Sequence, residues 1–415
     1  MTSDPPDRRT VVTGIGVVAP NGVGADDFWK ATREGASVIG PITREGCGQL
    51  PLRVAGEVRG FDAEAAVEGR YLVQTDRFTH YAMAAADLAL EDARLRPDEN
   101  SPFATGVVTA AGSGGGEFGQ RELQNLWGDG PRFVGPYQSI AWFYAASTGQ
   151  ISIRGGFKGP CAVVASDEAG GLDALAHAAR TISRGADAVV VGGAEAPLAP
   201  YSMVCQLGYP ELSLDDDPAT AYLPFTGRAC GFVPAEGGAM FVLEDERAAR
   251  RRGARIRAEL AGHAATFTGA SRWAESREGL AHAIRAALEQ ARCAPDEVDV
   301  VFADALGVPE ADLAEARAIA DVLGGHAARV PVTAPKTGTG RAYCGAPLLD
   351  AAAAVLAMEQ GFVPPTPNVT EVAYDLDLVR GRGRTAELRT ALVLSRGLMG
   401  SNAALVLRAG AARPS

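Results

Sequence analysis

Short runs of β-branched and apolar residues alternate along this chain with alanine-rich stretches of helical period. Thr10 to Thr13, Gly106 to Thr109, Ala162 to Ala165 and Asp187 to Val191 have the length and composition of buried strands, and helix-length sequence separates them. Leu172, Leu175, Ala179 and Ile182 recur at three- and four-residue spacing, which predicts an amphipathic helix just after the third run. The alternation predicts an α/β fold. Gly231 to Glu244 and Ala391 to Leu407 each read as strand, glycine turn, strand, and Val298 to Phe302 echoes Asp187 to Val191. These echoes predict two similar halves, residues 10–252 and 253–410, joined near Arg250 to Arg257. The ends, residues 1–9 and 411–415, are expected to be disordered.

Composition narrows the possible functions. A chain of 415 residues can bury a large core, and a formal net charge of -11 argues against a nucleic-acid partner. The basic run from Arg247 to Arg257 reads as a solvated helix. Six cysteines without paired short spacings indicate neither a zinc site nor a disulfide framework, so a reducing cytoplasm is the expected compartment and no metal is expected. Neither a membrane-spanning run nor a signal-type apolar segment is evident.

Two glycine clusters are candidates for cofactor binding. Thr10 to Ala19 formally contains a dinucleotide-type glycine pattern, but Pro20-Asn21-Gly22 would break the helix that must follow, so a tight strand-to-loop turn is expected instead. Ala111 to Gly116 lacks the Gly-Lys-Ser/Thr ending of a phosphate loop and reads as conformational. No cofactor is expected. None of the five histidines stands in a recognisable catalytic turn.

The segment Cys161 to Arg180 reads as a buried strand turning sharply into a helix, a geometry that presents one side chain at the helix N-terminus. It resembles the nucleophile turn of the β-ketoacyl synthases, in which a cysteine precedes a small-residue run and Gly-Leu-Asp-Ala, and here Glu168 stands at the cysteine position. Ala303 to Asp312 resembles the family's Ala-His-Gly-Thr-Gly-Thr motif with Asp304 in place of the histidine. Lys336 to Gly345 resembles its Lys-Ser-x-x-Gly-His motif, keeping Lys336 but placing Arg341 where the second histidine belongs. The likeness runs from Val11 through Leu407, and includes Gly227 to Gly238 and Gly397 to Asn402. Within that superfamily, Ala141 to Ser152 and Ala169 to Asp173 resemble the chain length factors of aromatic type II polyketide synthases, whose usual residue at the cysteine position is glutamine.

This resemblance implies a thiolase-like fold of duplicated halves in five layers, αβαβα. It also implies a heterodimer with a homologous, cysteine-bearing ketosynthase alpha subunit, served by an acyl carrier protein. Condensation needs a thiolate to carry the acyl chain and donors to stabilise the enolate and oxyanion; a carboxylate carries acyl groups poorly, and Asp304 repels developing negative charge. The chain is therefore expected to lack catalytic residues and to line the tunnel that receives the growing polyketide chain. Glu168, Asp304 and Arg341 are expected either to form an ionic cluster in the abandoned site or to point unpaired into water-filled space. Gly116, Gly119 and Leu123 share a helix face and resemble the family's chain-length gate, with Leu398 in a candidate gating loop. Two glycines and a leucine there predict a roomy tunnel and a product of about ten or more two-carbon units. Alternatives left open are a polyene-type system, a stand-alone acyltransferase using Glu168 as base, and a purely structural paralogue.

Overall fold

The computed structural model describes residues 8–96, 102–269 and 273–410. Ten strands carry the architecture. Those of the first half are β1 (Thr10–Ala19), β2 (Thr105–Ala110), β3 (Cys161–Val164), β4 (Ala188–Glu195) and β5 (Gly237–Asp245). Those of the second are β6 (Ala258–Phe267), β7 (Val300–Phe302), β8 (Val332–Thr333), β9 (Thr390–Arg396) and β10 (Ser401–Ala409). The first half is ordered β1-β5-β4-β2-β3 and the second β6-β10-β9-β7-β8, the same path through five strands twice. Directions repeat as well: the β5 and β10 pairings are antiparallel, while those around β2 and β7 are parallel. The halves meet where Val11 and Val12 of β1 pair with Glu259 and Ala258 of β6.

Helices fill the layers according to their apolar faces. We designate the principal ones α1 (Arg77–Ala93), α2 (Gly116–Gly128), α3 (Ala146–Gly155), α4 (Gly170–Ser183), α5 (Ser276–Ala291), α6 (Pro309–Leu323) and α7 (Ala346–Gln360). Every residue of α7 from Ala346 to Met358 is buried, as a helix without a polar face requires. It lies with α4 between the two sheets, in a core that both inner sheet faces share. Helices α1 and α3 cover the outer face of the first sheet, and α5 and α6 cover that of the second. The order is therefore αβαβα, the duplicated thiolase-like fold.

The expected strands are present, but the first runs on to Ala19 and does not turn at its glycines. Instead, Gly14 and Gly16 sit inside β1, where a Cβ would overlap the carbonyl oxygens of Ala89 and Ala85 on α1. These glycines permit close helix-to-sheet packing, which corrects the turn expected from sequence. A bulge between Val12 and Gly14 frees a backbone donor, and Asp92 of α1 accepts the Ile15 N–H at 2.8 Å. Gly231 to Glu236 also departs from expectation, forming isolated bridges to other segments before β5 begins. Of the basic run, Glu246–Arg251 is helical, but Arg257 is buried and paired to Glu359 and Asp92, so that stretch is only partly solvated.

Residues 1–7 and 411–415, drawn as disordered ends, lie outside the described residues. Arg8 and Arg9, included in that end, are fastened: Arg8 Nη1 donates to the Ile182 and Ala186 carbonyls at 3.3 Å, and Arg9 O accepts from Glu246 N. No helix among the described residues is long and apolar enough to cross a membrane.

Replacing Gly16 by valine should force α1 away from β1 and lower stability by about 3 kcal/mol or more. A urea-denaturation midpoint unchanged from that of the parent protein would contradict this account of the glycine.

Candidate functional site

Strand β3 ends at Val164, and the chain turns through Ser166 and Asp167 into α4. Asp167 has φ +58, a left-handed conformation that costs energy for a residue with a side chain. Its carboxylate offsets that cost by accepting the Met399 N–H at 2.7 Å, which ties the Gly397 to Gly400 loop to the turn. Leu398 of this loop is half-buried and packs on an apolar cluster containing Leu52, Met203 and Phe232. The turn presents Glu168 inward, 2 % exposed, immediately before α4.

The three altered motif positions meet. Arg341 Nη2 lies 3.1 Å from Glu168 Oε2 and 2.8 Å from Asp304 Oδ1, and Nη1 donates to the Asp304 carbonyl at 3.0 Å. Lys336 Nζ donates to the same carbonyl at 3.1 Å and pairs with Asp350 at 2.5 Å. All five side chains are buried, so of the two arrangements left open by the sequence the molecule adopts the ionic cluster.

Two members were not anticipated. Arg396, fully buried at the end of β9, donates from its backbone N–H to Asp304 Oδ1 at 2.9 Å and from Nε to Oδ2 at 3.1 Å. Its Nη2 reaches Glu315 Oε2 at 3.0 Å, and Glu315 in turn accepts the N–H groups of Asp304 and Ala305. Their sequence signals existed: Arg396 ends an apolar run, and Glu315 falls on the same α6 face as Ala311 and Ile319.

Burial raises the Glu168 carboxyl to about 7 despite the opposing pull of Arg341. Burial would raise Asp304 too, but Arg341, Arg396 and Lys336 outweigh it and hold that carboxyl below its ordinary range. Arg341 stays charged, because Asp304 and Glu168 more than offset its desolvation. Three cations, Arg341, Arg396 and Lys336, thus face four carboxyl groups, Glu168, Asp304, Glu315 and Asp350, and burial raises Glu315 and Asp350 above their ordinary range as well.

The nearby thiol is no substitute nucleophile. Cys344 is buried against Glu195, its Sγ 3.0 Å from Oε1, and burial followed by that carboxylate pushes the thiol well above its usual value. Among the described residues, no group of three or more His, Cys, Asp or Glu side chains is placed to hold a metal ion.

Helix α2 carries the other predicted positions. Gly119 is buried and Leu123 is 41 % exposed. The helix packs near Pro200–Gln206, whose Gln206 accepts a hydrogen bond from Tyr343, a neighbour of Glu168. Space at the two glycines is not empty, contrary to expectation: a Cβ at Gly116 would overlap Ser202 Oγ, and one at Gly119 would lie 3.2 Å from Trp142 Cδ1.

Comparison with known proteins identifies the family. Residues 7–249 match the family described as Beta-ketoacyl synthase, N-terminal domain, and residues 257–370 match Beta-ketoacyl synthase, C-terminal domain. The chain is 72% identical over 408 residues to "Putative polyketide beta-ketoacyl synthase 2" of Streptomyces coelicolor, covering 98% of this chain and 96% of the relative. It is 52% identical over 403 residues to the tetracenomycin polyketide synthase ketoacyl synthase beta subunit of Streptomyces glaucescens, covering 96% and 98%. Among solved structures, the ishigamide ketosynthase/chain length factor superposes with TM-score 0.89 at 29% identity, covering 97% of this chain and 99% of that one. A chain from a type II PKS acyl-carrier protein in complex with its ketosynthase bound to the hexaketide gives TM-score 0.86 at 29% identity, covering 97% and 100%.

Two outcomes are expected at the cluster. Glu168 has its folded value raised above the unfolded one, so it holds a proton in the folded state that the unfolded chain has released. Its contribution is therefore best below about pH 4.5 and declines as pH rises toward 7. Glu168→Gln abolishes that decline, so the stability of the variant relative to the parent should rise by up to ~3 kcal/mol between pH 5 and pH 8; parallel denaturation profiles would refute this. Arg341→Met leaves Asp304 without a main cation and should cost about 3–5 kcal/mol, which a thermal melt will register. The chain belongs to the β-ketoacyl synthase family, as a ketosynthase beta subunit, or chain length factor, of type II polyketide synthases.

Proposed function

We propose that this chain is a catalytically silent subunit that pairs with a cysteine-bearing ketosynthase and shapes the tunnel setting the length of a poly-β-ketone. The observation that carries this reading is the filling of the nucleophile position by a buried carboxylate paired to Arg341. No thiol stands there, and Asp304 occupies the place of an oxyanion-stabilising donor with a negative charge of its own. A freestanding acyltransferase using Glu168 as base fits poorly, because the carboxyl is 2 % exposed and engaged with Arg341.

The surface supports a heterodimer. Among the described residues, strand β3 pairs only with β2, leaving a half-exposed apolar edge along Ala162, Val163 and Val164. Trp127, Trp142, Phe143, Tyr144, Tyr201 and Val204 are exposed as well, on α2 and on the two segments that approach its glycines, and exposed apolar side chains in such number suit an interaction surface. A homologous ketosynthase with the same edge strand would extend the sheet across the dimer and cover these rings. The acyl carrier protein delivers extender units to the partner's thiol, and the growing chain passes toward α2. Gly116, Gly119 and Leu123 are the gate on this reading, and the loop of Leu398 borders the abandoned site. The resemblance of Ala141 to Ser152 and Ala169 to Asp173 to the chain length factors of aromatic systems favours an aromatic product.

Reconstitution with a homologous, cysteine-bearing ketosynthase and a malonyl-loaded carrier protein tests the proposal. Gly116→Phe should shift the products to shorter chains by mass spectrometry while co-purification is retained. An unchanged product distribution would reject the gate, and extension of a malonyl-loaded carrier by this chain alone would reject catalytic silence.

A further inference from the structure

The glycine-rich segment before α2 has no phosphate to bind, yet its glycines are closely used. At Gly114, with φ +68, a Cβ would lie 2.5 Å from Trp142 O, and at Gly115 it would lie 2.9 Å from the Ala141 carbonyl carbon. The Gly115 N–H donates to that same Trp142 oxygen at 3.1 Å. Backbone therefore lies on backbone, and the short helix Gln138–Ala141, with Trp142 following it, is pressed onto the start of α2.

This contact places the indole of Trp142 over Gly119. Cδ1 lies 3.2 Å and Cγ 4.0 Å from where a Cβ at 119 would stand, and the Gln138 amide nitrogen lies 3.9 Å from the same point. Trp142 is 56 % exposed, so one edge of the ring fills the notch left by the glycine while the rest faces outward. At the helix start, Ser202 backs Gly116, its Oγ overlapping and its Cβ 3.5 Å from where a Cβ would stand. The volume at this helix face is thus governed by a side chain from another segment, and the residues on α2 itself are small.

We propose that Trp142 is a chain-length-determining side chain that supplies, across Gly119, the bulk that α2 lacks. This rests on the tunnel reading given above and deepens it. A flexible poly-β-ketone advancing along α2 meets a flat, rigid indole with little conformational freedom to yield, held at its root by the Gly115 to Trp142 hydrogen bond. The two positions act as one unit: a larger residue at 119 must displace the ring, and a smaller residue at 142 opens the notch.

The test uses the complete complex, this chain with its ketosynthase and carrier protein, with Gly116→Phe as reference. Trp142→Ala should move the product distribution to longer chains by about one two-carbon unit or more, and Trp142→Phe should move it the same way to a lesser extent. Shorter chains from Gly116→Phe together with an unchanged or shortened distribution from both Trp142 variants would overturn the assignment while leaving the gate intact. An unchanged distribution from all three variants would overturn the gate and this inference with it. If Trp142→Ala fails to co-purify with the partner, the Trp142→Phe distribution decides alone: lengthening supports the role, and no lengthening rejects it.

Discussion

Asp304 is the ion around which the centre of this molecule is arranged. It stands at the end of β7 and binds Arg341 from the loop before α7 and Arg396 from the end of β9, while its backbone N–H is held by Glu315 of α6. Through Arg341 it is joined to Glu168 at the start of α4, which belongs to the other half of the fold. Bringing these charges out of water is costly, and the hydrogen bonds to Asp304 and Glu315 offset much of it, while Glu168 Oε1 and Arg341 Nε stay buried without a partner. The two halves are therefore fastened at their centre by charge as well as by the apolar layer of α4 and α7. Removing one partner strands the others in a medium that cannot solvate them.

Much of the architecture was legible because it depends on local pattern. The alternation of β-branched and alanine-rich runs gave the α/β class, and the hairpin-like ends of the two halves pointed to the repeat that the matching strand orders display. The site was legible to the extent that it depends on motif: Glu168, Asp304 and Arg341 stand at aligned positions and converge. Arg396 and Glu315 were not found, because their importance comes from strand and helix packing that brings distant segments together, and no spacing rule encodes that meeting. The glycines of β1 misled for a related reason. A glycine in a turn and a glycine beneath a helix have the same sequence signature, and only the position of Ala85 and Ala89 tells them apart.

The same distinction applies to the helix that begins at Gly116. Small residues suggest open space when a helix is considered by itself, yet volume in a folded chain belongs to whichever segment reaches it first. Here Trp142 and Ser202 reach it. On the proposed reading, product length is a property of two packed segments, and a single row of side chains along one helix describes it incompletely.

The left-handed residue Asp167 has a consequence for how the fold has been kept. A strained backbone persists only where the surrounding structure holds it in place. In this chain the carboxylate of the strained residue carries the Met399 N–H, so the bend has acquired a second employment as the anchor of a loop. The peptide path beneath position 168 is thus held by its architecture, independently of the side chain that it presents.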